Sequence, residues 1–306
     1  MPAPQVGVGL PVYNGEQFVA AAIESVLRQT FPDFELIISD NHSTDKTETI
    51  CRQYAERDER VKYYRAERNR GIAWNYNQVF HLSSKPTYFM WFSHDDILHP
   101  AYIQRCVGVL AEDRSVALCY SNWGEIDEAG RPFASHVSRV NMSSADPVLR
   151  FREAIRLEHL CEPWCGVTRT DIVQRTGMYG NFADYDRVIF AEIGLYGRFV
   201  ELQETLFFRR EHKGRSIYLY SSRAARASWI NEGKPLIFVF PHCRELREFW
   251  AAVRRSKLST FQKLKCAQAL LKWAWTYKRR IWIDFAGVFW GIAGRIANIL
   301  RMRNAV

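Results

Sequence analysis

Asp95 and Asp96 stand side by side immediately after the apolar run Tyr88-Phe89-Met90-Trp91-Phe92, and Asp40 follows the run Leu36-Ile37-Ile38-Ser39. Adjacent carboxylates at the end of a buried strand repel each other unless a cation lies between them and a ligand. Mg²⁺ or Mn²⁺, held by one carboxylate and by substrate phosphates, is the usual arrangement. Asp40, at the end of its own strand, can accept hydrogen bonds from a base or a ribose hydroxyl. Plainer readings exist for both. Asp95-Asp96 also suits a helix N-terminus, with Pro100 four residues on, and Asp40 to Asp45 suits a turn in which Ser43 or Asp45 caps the next helix. The nucleotide reading gains from order. Val6 to Asn14, Ser39 to Asp45, Asn69-Arg70-Gly71 and Phe92 to Asp96 each put a carboxylate or amide where a buried strand ends, the edge at which an α/β sheet holds a nucleotide.

The elements that must position these groups alternate. Val6 to Val12 reads as a strand, and Glu16 to Thr30 then puts Phe18, Val19, Ala22, Ile23, Val26 and Leu27 on one helical face. Glu35 to Ser39, a helix from about Asp45 to Arg57, Val61 to Tyr64, a helix over Ala73 to Leu82, Tyr88 to Phe92, a helix from Pro100 to Leu110, and Val116 to Tyr120 continue the pattern. That alternation predicts an α/β fold with a mostly parallel, doubly wound sheet. After Trp123 come loops, a helical stretch near Pro147 to His159 and a Gly-rich segment from Gly166 to Gly180, the irregular kind of chain that shapes substrate pockets.

The 306 residues, 47% of them hydrophobic, suffice for one large domain or two smaller ones. The net charge of +9 is unevenly placed: from Arg215 onward there are 18 Lys and Arg against 4 Asp and Glu, leaving 24 against 29 in the rest. The motif-bearing part is therefore slightly acidic, which argues against nucleic acid as a partner. The seven cysteines show no CxxC pair and read as reduced thiols. Residues 1 to 12 carry no basic start followed by a long apolar run, so the cytoplasm is the expected compartment.

Pro11-Val12-Tyr13-Asn14-Gly15, Ser25-Val26-Leu27-Arg28-Gln29-Thr30, Asp40-Asn41-His42-Ser43-Thr44-Asp45, Asn69-Arg70-Gly71 with Asn77, and His94-Asp95-Asp96 resemble the family 2 nucleotide-sugar glycosyltransferases of the GT-A fold. The resemblance covers about residues 5 to 125 and persists more weakly to about 216. It implies inverting transfer of a sugar from a nucleoside diphosphate to an acceptor hydroxyl of a glycan or a lipid-linked glycan, in cell-surface polysaccharide or glycolipid assembly. It matches Pro11, Tyr13, Asn14, Asp40, Asn69, Gly71, Asn77 and Asp95 to the donor site, Asp40 contacting the base and Asp95 lying near the ribose. Asp96 matches the ligand of a divalent metal, Mg²⁺ or Mn²⁺. Asp184, in Asn181 to Asp186, matches the catalytic base, with Asp186 as the alternative. His212, in Phe207 to His212, matches a residue that can approach the metal or the diphosphate. Two positions depart from the family pattern: His42 stands where glycine is common, and Ser93 stands where the first Asp of a full DxDD would be. Glu162 and Trp164 could lie against a sugar ring, although a core tryptophan is the simpler reading.

The resulting division is a GT-A domain over 1–215, its nucleotide-sugar half about 1–123 and its acceptor half about 124–215, followed by a basic helical extension over 216–306. In that extension Lys263 to Arg280 sets Leu264, Ala267, Leu270, Leu271, Ala274 and Trp275 on one side, and Ile281 to Leu300 repeats an apolar pattern interrupted by Asp284, Arg295 and Asn298. An interfacial helix on the anionic inner face of a membrane suits this pattern better than a spanning one. Packing on the domain and dimerisation are the alternatives. Rival functions are a nucleotidyltransferase, disfavoured because no Gly-rich basic loop follows the first strand, and a non-catalytic sugar-nucleotide-binding protein. Gly7-Val8-Gly9 lacks the third glycine of a dinucleotide fingerprint.

Overall fold

The computed structural model describes residues 4–158, 161, 165–219, 230 and 240–285. The alternating pattern becomes four parallel strands: β1 (Val6–Val12), β2 (Phe34–Asp40), β3 (Val61–Arg65) and β4 (Tyr88–Trp91), in the spatial order β3-β2-β1-β4. Helices α1 (Val19–Leu27), α2 (Thr47–Arg57) and α3 (Ile72–Leu82) connect them. The register pairs Val12 with Asp40, so β1 and β2 end level and deliver Tyr13 and Asn41 to one edge.

Side chains alternate across this sheet as the period of two requires. Val6, Val8, Leu10, Val12, Leu36, Ile38, Met90 and Phe92 enter one core with Ile23 and Val26 of α1, whereas Ile37, Phe89 and Trp91 enter the other with Val79 and Phe80 of α3. Gly9 allows the close approach of α3, because a Cβ there would meet the Val79 side chain at 2.6 Å.

The second half is mixed. After β5 (Ile97–Leu98) and α4 (Tyr102–Glu112) come β6 (Val116–Ile126), β7 (Pro132–His136), α5 (Pro147–Ala154), β8 (Val167–Arg169), α6 (Thr170–Val173), α7 (Tyr185–Tyr196), β9 (Arg198–Arg210) and α8 (Ser216–Leu219). The sheet runs β3-β2-β1-β4-β8-β6-β9-β5, with β7 paired to β6. β8 is antiparallel to both β4 and β6, while β9 runs parallel to β6. Thus the sheet is parallel over its first four strands, and the Gly-rich stretch supplies the antiparallel strand that joins it to the rest. The halfway division expected near 123 falls inside β6.

Helices α9 (Pro241–Arg255) and α10 (Thr260–Thr276) follow. A capping box of Ser259 and Gln262 starts α10. Phe249, Ala252, Val253, Cys266, Ala269, Leu270 and Trp273 join the core that contains Phe151 and Phe190. The Trp273 indole N–H donates to the Ile155 carbonyl at 2.7 Å. The expected single apolar side of this helix is therefore divided: Leu270 is buried, whereas Leu264, Leu271 and Trp275 are exposed. Of the second expected tail helix only 281–285 falls among the described residues, and Arg295 and Asn298 lie outside them. Asp284 is buried and accepts the His242 backbone N–H at 2.7 Å, tying these turns to the start of α9. Among the described residues no helix is long and apolar enough to cross a membrane.

Candidate functional site

The turn after β2 is built by its own polar side chains. Asp40 is fully buried; its Oδ1 accepts the Ser43 N–H at 2.8 Å and its Oδ2 the Tyr63 hydroxyl at 2.7 Å. These two bonds hold the turn in shape. His42 sits at φ +67°, in the left-handed region that explains why glycine suits the position. Asn14, at φ +51°, accepts the Thr44 N–H at 2.9 Å and donates its own N–H to Ser43 Oγ, locking the end of β1 to this turn. Asp45 bridges Thr47 N–H and Glu16 N–H at 3.0 Å each, at the start of α2. Pro11 is buried within β1, and Tyr13 beyond it is exposed.

Asn69 and Gly71 belong to the neighbouring loop. Asn69 Oδ1 accepts from Asn41 Nδ2 and from the Gly71 N–H, each at 2.9 Å, and Asn41 Oδ1 accepts the Arg70 N–H at 2.9 Å. Gly71 has φ +82°, which glycine adopts without strain. Asn77 lies a full turn into α3 and plays another part, in which its amide donates to the Tyr179 carbonyl and accepts the Tyr179 N–H, both at 2.9 Å. Both polar ends of Asn77 thus clamp the segment around Tyr179 to α3.

The end of β4 distinguishes the two adjacent carboxylates. Asp96 is buried, and its Oδ1 accepts the Arg210 backbone N–H at 3.0 Å. Burial, reinforced by the charge of Asp95, pushes its carboxyl well above the ordinary range. The more accessible Asp95 meets His212, with Nε2 and Oδ2 3.0 Å apart. Burial opposes ionisation of Asp95, but His94 and the His212 hydrogen bond outweigh it and hold the carboxyl at about 2. β9 makes the encounter possible by pairing with β5 and running to Arg210, so that His212 arrives beside the β4 end. The His212 ring also packs on Phe18, with centroids 4.7 Å apart.

Arg210 organises this corner, although the sequence drew attention to its segment only for His212. Its Nε donates to the Asp95 carbonyl and its Nη1 to the Asp127 and Glu128 carbonyls, at 2.9 Å each. Its one signal is an arginine at the end of an apolar strand, next to a second arginine whose more exposed side chain pairs with Glu125. Charged residues are read as solvated by default, and Arg210 is buried.

Asp184 occupies the first position before α7 with φ +62° and no side-chain capping bond. Non-glycine residues held in this region concentrate at functional sites. Asp186, in the first turn, accepts the Arg187 N–H at 2.9 Å, and burial together with the neighbouring Asp184 raises its pKa. Tyrosines connect this helix start to the β4 end. Tyr76 bonds through its side chain to Ser93 and feels the field of Asp95, and its ring lies 5.0 Å from Tyr179 and 6.4 Å from Tyr185. Ser93, in the place of a family Asp, therefore joins that packing. Glu162 and Trp164 lie outside the described residues.

A divalent cation fits Asp95 and His212: one carboxylate and one imidazole at the sheet edge leave further positions for phosphate and water oxygens. Among the described residues no group of three such side chains converges, so a ligand would have to complete the coordination.

The glycosyl transferase family 2 pattern matches residues 8–175 of this chain. An uncharacterised glycosyltransferase of Rickettsia typhi is 35% identical over 127 residues, covering 41% of this chain and 38% of that protein. Escherichia coli chondroitin synthase is 31% identical over 127 residues, 42% of this chain and 18% of the synthase. The chain thus spans well under two thirds of these relatives. Among solved structures, S. aureus TarS 1–349 superposes with a TM-score of 0.63 at 15% identity, covering 90% of this chain and 73% of TarS. The mannosyltransferase PcManGT of Pyrobaculum calidifontis, solved with GDP-Man and Mn²⁺, gives 0.52 at 14%, covering 95% and 88%. With its GT-A architecture and a match over more than half its length, this chain belongs to glycosyl transferase family 2.

Proposed function

We propose that the chain moves a sugar, with inversion, from a nucleoside diphosphate sugar to an acceptor hydroxyl in the assembly of a surface polysaccharide or glycolipid. The observation that carries this reading is the Asp95–His212 pair at the β4 end, joined through Tyr76 and Tyr185 to the carboxylates that open α7. Relatives support the class of donor and product. TarS has been solved with UDP-GlcNAc, and a putative teichuronic acid biosynthesis glycosyltransferase, TuaG of Bacillus subtilis, is 28% identical over 147 residues.

In this reading Tyr13, Asn14 and the turns holding Asp40, Asn69 and Gly71 form the floor for the nucleoside. Asp95 and His212 would hold Mg²⁺ or Mn²⁺, and Asp96 braces them by fixing Arg210. The resemblance gives the metal to Asp96; this reading gives it to the neighbour, since Asp96 Oδ1 already accepts the Arg210 N–H. A bound cation would offset the charge gathering on the departing diphosphate. The acceptor oxygen attacks the anomeric carbon from the side opposite the diphosphate. The bond from that carbon to the diphosphate oxygen breaks with its electron pair on the leaving group, and Asp184 takes the hydroxyl proton. The acceptor is a glycan, free or lipid-linked, met at the anionic inner face of a membrane.

Release of nucleoside diphosphate from a panel of sugar donors, with and without Mn²⁺, tests the class. Acceptor-dependent release from a nucleotide sugar is expected. Diphosphate formed instead from a sugar 1-phosphate and a nucleoside triphosphate would show a nucleotidyltransferase.

A further inference from the structure

The face of α10 turned away from the core carries a second apolar stripe. Phe261, Leu264, Leu271 and Trp275 are 64%, 59%, 73% and 71% exposed, and Trp282 and Phe285, in the helical turns over 278–285, are 75% and 55% exposed. Their spacings of three, seven and four residues set Phe261, Leu264, Leu271 and Trp275 on one side of α10, about 25 Å long, and Trp282 and Phe285 stand three apart in the turns that follow the break at Tyr277. The opposite side is already occupied by the packing of Cys266, Leu270 and Trp273, so the stripe is not an unfilled core face. Cations border it. Lys265 lies 4.5 Å from the Phe261 ring centre and Lys278 lies 3.9 Å from that of Trp275, while Lys263, Lys272, Arg279 and Arg280 flank the same segment. Asp284 faces inward, to His242.

We infer that this stripe docks the protein flat on an anionic lipid bilayer, with Phe261, Leu264, Leu271, Trp275 and Trp282 entering the headgroup boundary and the bordering Lys and Arg meeting lipid phosphates. The inference rests on the membrane-confined acceptor proposed above and specifies the surface that reaches it. Charge decides the occupant: aromatic and leucine side chains rimmed by cations match a negative interface, whereas a second copy would bring the same cations against each other. Fixed to α9 by His242–Asp284 and to α5 through Trp273–Ile155, the stripe keeps a set relation to α7, against which α9 also packs.

Co-sedimentation of the full chain with phosphatidylglycerol–phosphatidylcholine vesicles and with phosphatidylcholine alone tests this. Binding is expected to the anionic vesicles and to weaken with salt. Trp275→Glu with Trp282→Glu should weaken binding by about tenfold or more per tryptophan, since the lost apolar burial scales with area. The melting temperature and donor turnover on a water-soluble acceptor should stay unchanged, because both side chains are exposed. Equal vesicle binding by wild type and variant would overturn the inference. So would a wild-type dimer that the variant converts to monomer without any vesicle binding. Vesicle docking without transfer from any nucleotide sugar would leave this inference standing and reject the proposed activity instead.

Discussion

Asp184 and Asp186 share one corner but differ in environment, and that difference sets the expected pH response. Burial and the neighbouring Asp184 raise the pKa of Asp186, so this part of the site loses its last proton above the ordinary carboxylate value of about 3.9. Protonated Asp186 no longer sets a negative charge beside Asp184, so transfer should fall as pH drops through that raised value. Asp186→Asn removes one of two mutually repelling charges and should move the acid limb of kcat/KM to lower pH, measured across a pH series; an unmoved limb would separate Asp186 from the site. At the β4 end, Asp95→Asn should weaken Mn²⁺-dependent donor binding in calorimetry by about tenfold or more, as losses around metal ligands do. Asp96→Ala should instead leave the Arg210 N–H unmatched and cost about 1–3 kcal/mol of stability in denaturant unfolding, with Mn²⁺ affinity little changed. The resemblance gave Asp95 to the ribose and Asp96 to the metal, but adjacent residues at a strand end leave open which one turns inward. The partner on β9 decides that, 114 residues away.

β1 and β4 were legible as apolar runs of seven and four residues and β2 by its central Leu36-Ile37-Ile38, each followed by polar turn formers, whereas β3 carries Lys62 and Arg65 at the sheet's edge. β8 was not legible, because its three residues are too few to show a period. The two apolar faces of α10 hid each other for a related reason: a helix apolar on both sides has no polar face to mark its inward direction. Gln29 shows how a motif matched by resemblance acquires a physical role. Its side chain donates to the His99 carbonyl at 2.8 Å and accepts the Ile103 N–H at 2.9 Å, holding α1 to the start of α4. Asn77 does the same between α3 and the acceptor half. Asn77→Ala should cost about 1–3 kcal/mol by stranding the Tyr179 backbone groups, read as a lower denaturant midpoint. α9 also reaches toward α7, where buried Glu245 stands 3.5 Å from Arg187, the residue after Asp186. Glu245→Gln leaves the Arg187 charge to the carboxylates beside it. The acid limb of the pH profile should then shift downward, a change that loosened packing alone would not produce.

Across the whole molecule, charge and chemistry are separated. The sheet end with Asp40, Asp95 and Asp96 and the carboxylates that open α7 lie in the slightly acidic portion, and the cations gather from Arg215 onward, where the described helices α9 and α10 share a core with α5 and α7. This arrangement suits an enzyme whose donor is soluble and whose acceptor is confined to a surface. The proposed chemistry depends most directly on Asp184, assigned in it as the base that takes the acceptor's proton. Nucleotide-sugar binding by calorimetry with Mn²⁺, paired with single-turnover transfer for wild type and Asp184→Asn, tests that role. Donor affinity should hold within about threefold while transfer falls by about 10²–10⁴, the usual worth of a general base. Transfer by Asp184→Asn at an undiminished rate would contradict it.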